Sequence, residues 1–203
     1  MRPGRRVVAL TFDDGPNGAD TASILDVLAQ EDVRATFFVV GQAAKEQPHL
    51  LHRMVRDGHA IGNHSWSHTR LNLRSRAAVR ADLQRTDEAI FAATGERTRL
   101  VRPPFGARSF ALLAELRRLG YTCVLWSVPL AREWDRPDAA SVARRLLDAT
   151  TDGSIVALHD GNRGRRGDRS HVAAAVRTVV RELRDRSLRF LTIPEMVALG
   201  EPR

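Results

Sequence analysis

Strand-like and helix-like segments alternate along the whole 203-residue chain, and this alternation limits its fold more than any other feature. Short apolar runs such as VVALTF, at 7–12, predict buried strands, and apolar residues three or four apart predict amphipathic helices. The predicted strands are 6–12, 35–40, 59–63, 99–102, 122–127, 154–159 and 189–192. The predicted helices are 21–31, 48–57, 75–94, 109–119, 139–149, 172–185 and 194–199. This order favours parallel strands that are joined by helical crossovers.

About seven such units predict an α/β fold, namely a distorted (β/α) barrel of parallel strands in a single domain that spans residues 1–203. An open, doubly wound parallel sheet is the alternative, because periodicity alone does not distinguish a closed ring from an open sheet. With 43% hydrophobic residues, the chain has enough apolar side chains for one sizeable core.

Composition excludes several classes of protein. No apolar run approaches the roughly 18–20 residues that cross a bilayer, so we expect no membrane span. The single cysteine, Cys123, cannot form an internal disulfide or a thiolate metal cluster. The net charge of +8 would attract anionic polymers, but the arginines alternate with acidic residues and no basic-aromatic cluster predicts nucleic-acid binding.

The first residues, MRPGRRVV, are followed by an acidic pair before any signal-peptide core could form. This start fits a cytoplasmic protein, or a secreted or cell-envelope protein whose leader has been removed. The sequence predicts neither one compartment nor an oligomeric state.

Reactive side chains follow several of the predicted strands at the point where each strand ends. Asp13 and Asp14 follow the first strand, His64 follows the third, and Arg102 and His159 end the fourth and sixth. In parallel α/β folds, the carboxyl ends of the strands form the rim that carries the chemistry. We therefore expect these five side chains to share one rim.

His64 and His68 are four residues apart, which on a helical turn would put both imidazoles on one face. Two such histidines are a weak signal alone, because surface pairs with this spacing are common. With Asp13 or Asp14 as a third ligand they would hold one metal ion and leave positions open for water and substrate. The other aspartate would then be placed to take a proton from metal-bound water.

Further residues could complete such a site. Arg102 is either a surface arginine before a proline-rich turn or an inward charge that needs a carboxylate partner. His159 is either a core histidine or a general acid for a leaving group. Glu133 and Asp135 could each orient a histidine. Trp126 and Trp134 flank the loop after the fifth strand, where aromatic rings suit sugars.

Taken together and in this order, five motifs resemble the polysaccharide deacetylases of carbohydrate esterase family four, the NodB-homology domain. They are TFDDGP at 11–16, HSWSH at 64–68, RPPFG at 102–106, REW at 132–134 and LHD at 158–160. The resemblance implies a distorted β/α barrel and a divalent metal, usually zinc, with cobalt and nickel as alternatives. It also implies hydrolysis of N-acetyl groups on amino sugars of glycans, such as chitooligosaccharide or peptidoglycan-type N-acetylglucosamine.

The resemblance implies a role for each matching residue. The metal ligands would be Asp14, His64 and His68. Asp13 would be the general base, held by Arg102, and His159 would be the general acid that protonates the leaving amine. The backbone N–H near Phe105 would join the metal in stabilising the tetrahedral oxyanion.

The chain departs from the family pattern in three motifs. Phe105 stands where the family often has tyrosine, and Glu133 stands where an aspartate usually precedes the tryptophan, so Glu133 is the expected partner of His159. Ala157 replaces a leucine two residues before the histidine, which predicts tolerance of acyl groups larger than acetyl. The remaining residues expected to contact substrate are Trp134, Ala157 and Leu158.

Other functions fit some of the same residues. An acetylxylan esterase, or a deacetylase of a small N-acetylated sugar metabolite, would use the same machinery. A glycan-binding protein without catalysis would be expected to lack a ligand or base, and both are present here. Two histidines and a carboxylate also fit an iron oxygenase, but a neighbouring aspartate base suits hydrolysis better.

Overall fold

The computed structural model describes residues 6–128, 138–164 and 168–200. The strands of this part are β1 (Val7–Asp13), β2 (Thr36–Val39), β3 (Ala60–Asn63), β4 (Leu100–Val101), β5 (Thr122–Cys123), β6 (Ser154–His159) and β7 (Arg189–Phe190). Its α-helices are α1 (Gly18–Gln30), α2 (Gly41–Glu46), α3 (Pro48–Arg56), α4 (Arg76–Thr94), α5 (Phe110–Arg118), α6 (Ala139–Ala149), α7 (Ser170–Asp185) and α8 (Ile193–Ala198). Two short 3₁₀ helices, Leu71–Leu73 and Pro104–Gly106, follow β3 and β4.

The strands form one parallel sheet in the order β5-β4-β3-β2-β1-β6, and β7 also pairs with β1. The sheet curls, because the segment after β5 returns to β6. Val128 forms a parallel bridge with Val156, and the N–H of Ala157 donates to the carbonyl of Val128 at 3.1 Å. This contact joins the two ends of the sheet. The predicted distorted (β/α) barrel is therefore confirmed, and the open doubly wound alternative is wrong.

The position of β1 follows from its composition. All seven residues of β1 are buried, as the run VVALTF predicts for a strand covered on both faces. Phe12 stacks on Phe37 of β2 with ring centroids 4.9 Å apart, and Leu28 of α1 and Val176 of α7 belong to the same core cluster. Burial of each such side chain contributes about 1.5–3 kcal/mol. This packing holds the carboxyl end of β1, and with it Asp13, in a defined place.

Some element boundaries differ from those predicted. The predicted strand 122–127 is paired with β4 only at Thr122–Cys123, because the chain then crosses to β6. Helix α2 was not predicted, since its six residues are too few for an apolar period and its inward residues are the small Ala43 and Ala44. Among the described residues, no helix is long and apolar enough to span a membrane.

Candidate metal and catalytic site

The loops after β1 and β6 pack against each other with unusually little space between them. A Cβ atom on Gly15 would lie 2.0 Å from Oδ2 of Asp160, and one on Gly161 would lie 2.2 Å from the carbonyl oxygen of Asp14. Only glycine permits this approach. It brings the acidic pair beside the end of β6, where Asp13 and His159 are register partners on neighbouring strands.

Three potential metal ligands meet in this region. Asp14, His64 and His68 each offer one atom, and these atoms all lie within 4.8 Å of one another. Oδ1 of Asp14 is 3.4 Å from Nε2 of His64 and 3.0 Å from Nε2 of His68. Yet this buried oxygen has no partner with hydrogen-bond geometry. A buried, unpaired carboxylate oxygen is costly, and a cation shared with two imidazoles would satisfy it.

Neighbouring groups determine the tautomer of His64 and the ionisation of Asp14. Nδ1 of His64 is 2.7 Å from the carbonyl oxygen of Arg102, which can only accept, so Nδ1 carries the proton and the Nε2 lone pair is free for a metal. Oδ2 of Asp14 accepts the backbone N–H of Arg163 at 2.9 Å. Burial opposes ionisation of Asp14, but contacts with His64 and His68 outweigh it and hold the pKa of Asp14 well below its usual range. These donors fit a divalent metal ion.

The expectation that His64 and His68 share a helical turn is wrong. Residues 64–68 form a bent loop, with left-handed backbone at Ser65 (φ 68°) and His68 (φ 54°). These two residues reverse the chain direction and bring the imidazoles to 5.1 Å between ring centroids. The spacing of four therefore brings two potential metal ligands together through a backbone path that is not helical.

Side chains from β3 and α4 hold this loop. Oδ1 of Asn63 accepts the N–H of Ser65 at 2.9 Å, and Oδ1 of Asp82 accepts the N–H of Trp66 at 2.7 Å. Nδ2 of Asn63 donates in turn to Asp87 at 2.8 Å. Sequence patterns do not reveal these three supporting residues, because their spacing along the chain carries no motif.

Asp13 and Arg102 form a buried ion pair. Nη1 of Arg102 is 2.7 Å from Oδ1 of Asp13 and also donates to Thr11 at 2.7 Å, and the Arg102 side chain is fully buried. Its guanidinium lies 4.0 Å from the ring centroid of Phe38. Burial lowers the pKa of Arg102, and the charge of Asp13 opposes this. This ion pair uses Oδ1 of Asp13, so Oδ2 remains available to the cavity that Asp13 lines.

A cavity of about 420 Å³ lies over these groups. Its wall contains the three metal-ligand candidates and Asp13, together with His159, Phe105, Ala157 and Trp126. The ring of Phe105 meets that of His68 edge-on, with centroids 4.5 Å apart. The structure thus brings Asp13, Asp14, His64, His68 and His159 together on one rim, with Arg102 behind Asp13.

One residue expected to contact substrate, Leu158, lies away from the cavity wall. Leu158 is fully buried in the main hydrophobic cluster and is not part of the cavity wall, because neighbouring residues of a strand point to opposite faces. We therefore give it a packing role and correct the expectation that it contacts substrate. Glu133 and Trp134 fall outside the described residues.

Asp160, beside the site, is a buried carboxyl group. Its Oδ2 accepts the hydroxyl of Thr21 at 2.7 Å, and it is 1% exposed. Burial raises the pKa of Asp160 to about 7, and the negative charges of Asp14 and Asp13 act in the same direction. Asp160 connects the end of β6 to α1 and supports the loop that carries Asp14.

Comparisons with known proteins agree with this geometry. A family model described as polysaccharide deacetylase matches residues 1–124. The chain is 35% identical to the peptidoglycan-N-acetylglucosamine deacetylase PgdA of Listeria monocytogenes, over 93% of this chain and 38% of that protein. It is 41% identical to a chitooligosaccharide deacetylase of Sinorhizobium fredii, over 78% of this chain and 74% of the relative.

Solved structures show the same likeness. The structure of the peptidoglycan deacetylase PdaC from Bacillus subtilis matches with a TM-score of 0.86 and 32% identity, covering 98% of this chain and 94% of that chain. The chain spans only 38% of the length of the Listeria relative. The likeness therefore concerns one part of that larger protein.

Proposed function

The chain belongs to the polysaccharide deacetylase family, and we propose that it is a metal-dependent hydrolase of N-acetyl groups on amino sugars in glycans. The substrate classes that the relatives suggest are chitooligosaccharide and peptidoglycan-type N-acetylglucosamine. The observation that best supports this proposal is that Oδ1 of Asp14 is buried without a hydrogen-bond partner and lies beside the Nε2 atoms of His64 and His68. We further propose that residues 1–203 form one catalytic domain.

Asp14, His64 and His68 would hold the metal. We propose zinc, because two imidazoles and one carboxylate with open positions form a set that zinc favours in hydrolases, while cobalt or nickel could use the same donors. Bound there, the ion would lower the pKa of a water molecule and polarise the acetyl carbonyl.

The remaining groups would move the protons. Oδ2 of Asp13, whose other oxygen is held by Arg102, would accept a proton from the attacking water. The water oxygen bonds to the acetyl carbon, and the carbon–nitrogen bond then breaks. His159 would donate the proton that the leaving amine requires, so the products are acetate and a free amino sugar.

The backbone near Phe105 would stabilise the oxyanion. Phe105 has a left-handed backbone (φ 63°) within the 3₁₀ helix after β4, at the cavity wall. We propose that an N–H of this turn faces the developing negative charge. A donor of this kind is worth about 3–4 kcal/mol in the transition state.

Acetate release from a substrate panel tests the proposal. Metal-stripped protein is reloaded with zinc and incubated with chitooligosaccharides, peptidoglycan fragments and acetylxylan, with Asp13→Asn as the inactive reference. We expect acetate and a matching amount of free amine from N-acetylglucosamine-containing substrates. Acetate from acetylxylan alone would point to the esterase alternative, and iron-dependent turnover with a 2-oxo acid would overturn the hydrolase assignment.

A further inference from the structure

Two arginines contact one aromatic ring at the mouth of the cavity. Phe105 is 43% exposed, and the guanidinium carbon of Arg70 lies 4.5 Å from its ring centroid. The guanidinium carbon of Arg163 lies over the same ring at 5.3 Å. Arg70 follows the loop that carries His68, and Arg163 belongs to the loop after β6. Two strand-end loops therefore place positive charge on one ring.

The charges of Arg70 and Arg163 are not neutralised by the described part of the protein. In that part, neither guanidinium forms an ion pair or donates a hydrogen bond, whereas Arg102 pairs with Asp13 and Arg53 pairs with two aspartates. Contact with an aromatic face restrains a guanidinium without using its N–H donors. The ring of Phe105 thus holds two cations that keep their donors for another partner.

Arg169 adds a third positive charge inside the cavity. It is 8% exposed, lines the cavity, and donates from Nε to the carbonyl of Gly161 at 2.9 Å. No carboxylate of the described residues forms an ion pair with it. A buried guanidinium without a counter-charge is unfavourable, so an anion in the cavity would be stabilised.

We propose that Arg70 and Arg163 bind a carboxylate of the glycan next to the scissile acetamide, so that carboxylate-bearing N-acetylated glycans are preferred over neutral ones. This inference rests on the proposed function, whose site it extends. Arg163 is well placed for it, since its backbone N–H already bonds Asp14 and its side chain reaches the cavity mouth. A guanidinium presents paired donors that match a carboxylate in two parallel hydrogen bonds.

A set of three length-matched substrates that differ in charge tests the preference. One oligosaccharide carries a lactyl ether carboxylate beside the N-acetyl sugar, a second carries a uronic acid, and a third of equal length is neutral. The double variant Arg70→Gln, Arg163→Gln keeps the backbone N–H of residue 163. The matched control is Arg97→Gln, because Arg97 also lies over an exposed phenylalanine, Phe91, at 4.6 Å.

We expect each arginine to lower KM for a carboxylate substrate roughly three- to tenfold. In the double variant, the increase in KM for the carboxylate substrates should be at least about fivefold larger than the increase for the neutral oligosaccharide. The preference should weaken at high salt. The carboxylate substrate that the double variant affects, lactyl or uronic, identifies the source of the carboxylate. Equal losses on charged and neutral substrates, or no loss in the double variant, would overturn the inference.

A binding experiment distinguishes failure of this inference from failure of the proposed function. Zinc-loaded Asp13→Asn protein, with and without the two glutamine substitutions, is titrated calorimetrically with the same oligosaccharides. Charge-dependent binding without any acetate release by the unsubstituted protein would reject the proposed function and keep the inference. Equal affinity for charged and neutral oligosaccharides would reject the inference whatever the activity.

Discussion

At the scale of single residues, the adjacent aspartates have different surroundings, so their substitutions should have different effects on turnover and on metal binding. Oδ1 of Asp13 is held by Arg102, whereas Oδ1 of Asp14 lies between two imidazoles. We expect Asp13→Asn to keep the metal and to lose turnover about 10²–10⁴-fold, because an amide cannot accept the proton. Asp14→Asn should instead weaken metal binding. Metal content after dialysis, measured beside acetate release, distinguishes the two.

The isosteric asparagine variants control for packing, since both keep the size of the buried side chain. The assignment would be reversed if Asp13→Asn lost the metal while Asp14→Asn retained it. Equal metal loss in both variants would indicate that both carboxylates are ligands.

Ala157 should set the size of the acyl group that the cavity accepts. It is 1% exposed on the cavity wall, and a leucine there would add three carbons to that wall. We expect the native chain to accept propionyl and butyryl amides, and Ala157→Leu to lose butyryl turnover by at least tenfold more than acetyl turnover. Rates with the three acyl groups on one sugar measure this. A sharp drop from acetyl to butyryl in the native chain would contradict it.

At the scale of elements, α4 acts on the site through the loop between the two histidines. Asp82 on α4 accepts the N–H of Trp66 at 2.7 Å, and its removal would leave a partly buried donor unpaired at a cost of about 1–3 kcal/mol. We expect Asp82→Ala to lower zinc affinity by misplacing His68 while the fold persists. Competition with a zinc chelator measures the affinity, and circular dichroism checks the fold.

A conservative variant and a distant one sharpen this test. Asp82→Asn keeps an oxygen acceptor and should restore most of the affinity. Gln84→Ala, on the exposed side of the same helix, should change nothing, since among the described residues the Gln84 side chain bonds only Glu88. Unchanged zinc affinity in Asp82→Ala would show that the backbone alone positions the loop.

The limits of sequence prediction also follow from particular elements. The run before Asp13 predicts β1 because a strand buried on both faces is apolar at every position. The spacing of His64 and His68 suggests a helical turn that the structure does not have, because left-handed residues such as Ser65 leave no periodic signal. Arg70 and Arg163 are 93 positions apart in the chain, and only the curl of the sheet brings both to Phe105. Motifs therefore identify the side chains that meet at one rim, whereas contacts between separate loops require the fold.

At the scale of the whole molecule, one buried histidine should make stability depend on pH. His59 is 6% exposed, and its Nδ1 accepts the N–H of Ala35 at 3.1 Å, which requires the neutral ring. Burial lowers the pKa of His59 to about 4; the charge of Asp57 opposes this, and that of Arg53 adds to it. The folded state thus stays neutral where the unfolded chain, with a pKa near 6.5, takes up a proton.

The sign of the effect follows from this difference in proton uptake. The stabilisation is complete above pH 6.5 and is lost as the pH falls toward 4, because the unfolded state binds more protons in that range. Between pH 7 and pH 5 the free energy of unfolding should fall by about 2 kcal/mol on account of His59.

Urea unfolding of the native chain and of His59→Gln, which keeps an acceptor but does not titrate, measures the difference. His49→Gln, at an exposed histidine, is the control and should leave the pH dependence unchanged. If His59→Gln kept the full native pH dependence, His59 would have to be protonated in the folded state, and its bond from Ala35 could not exist as described.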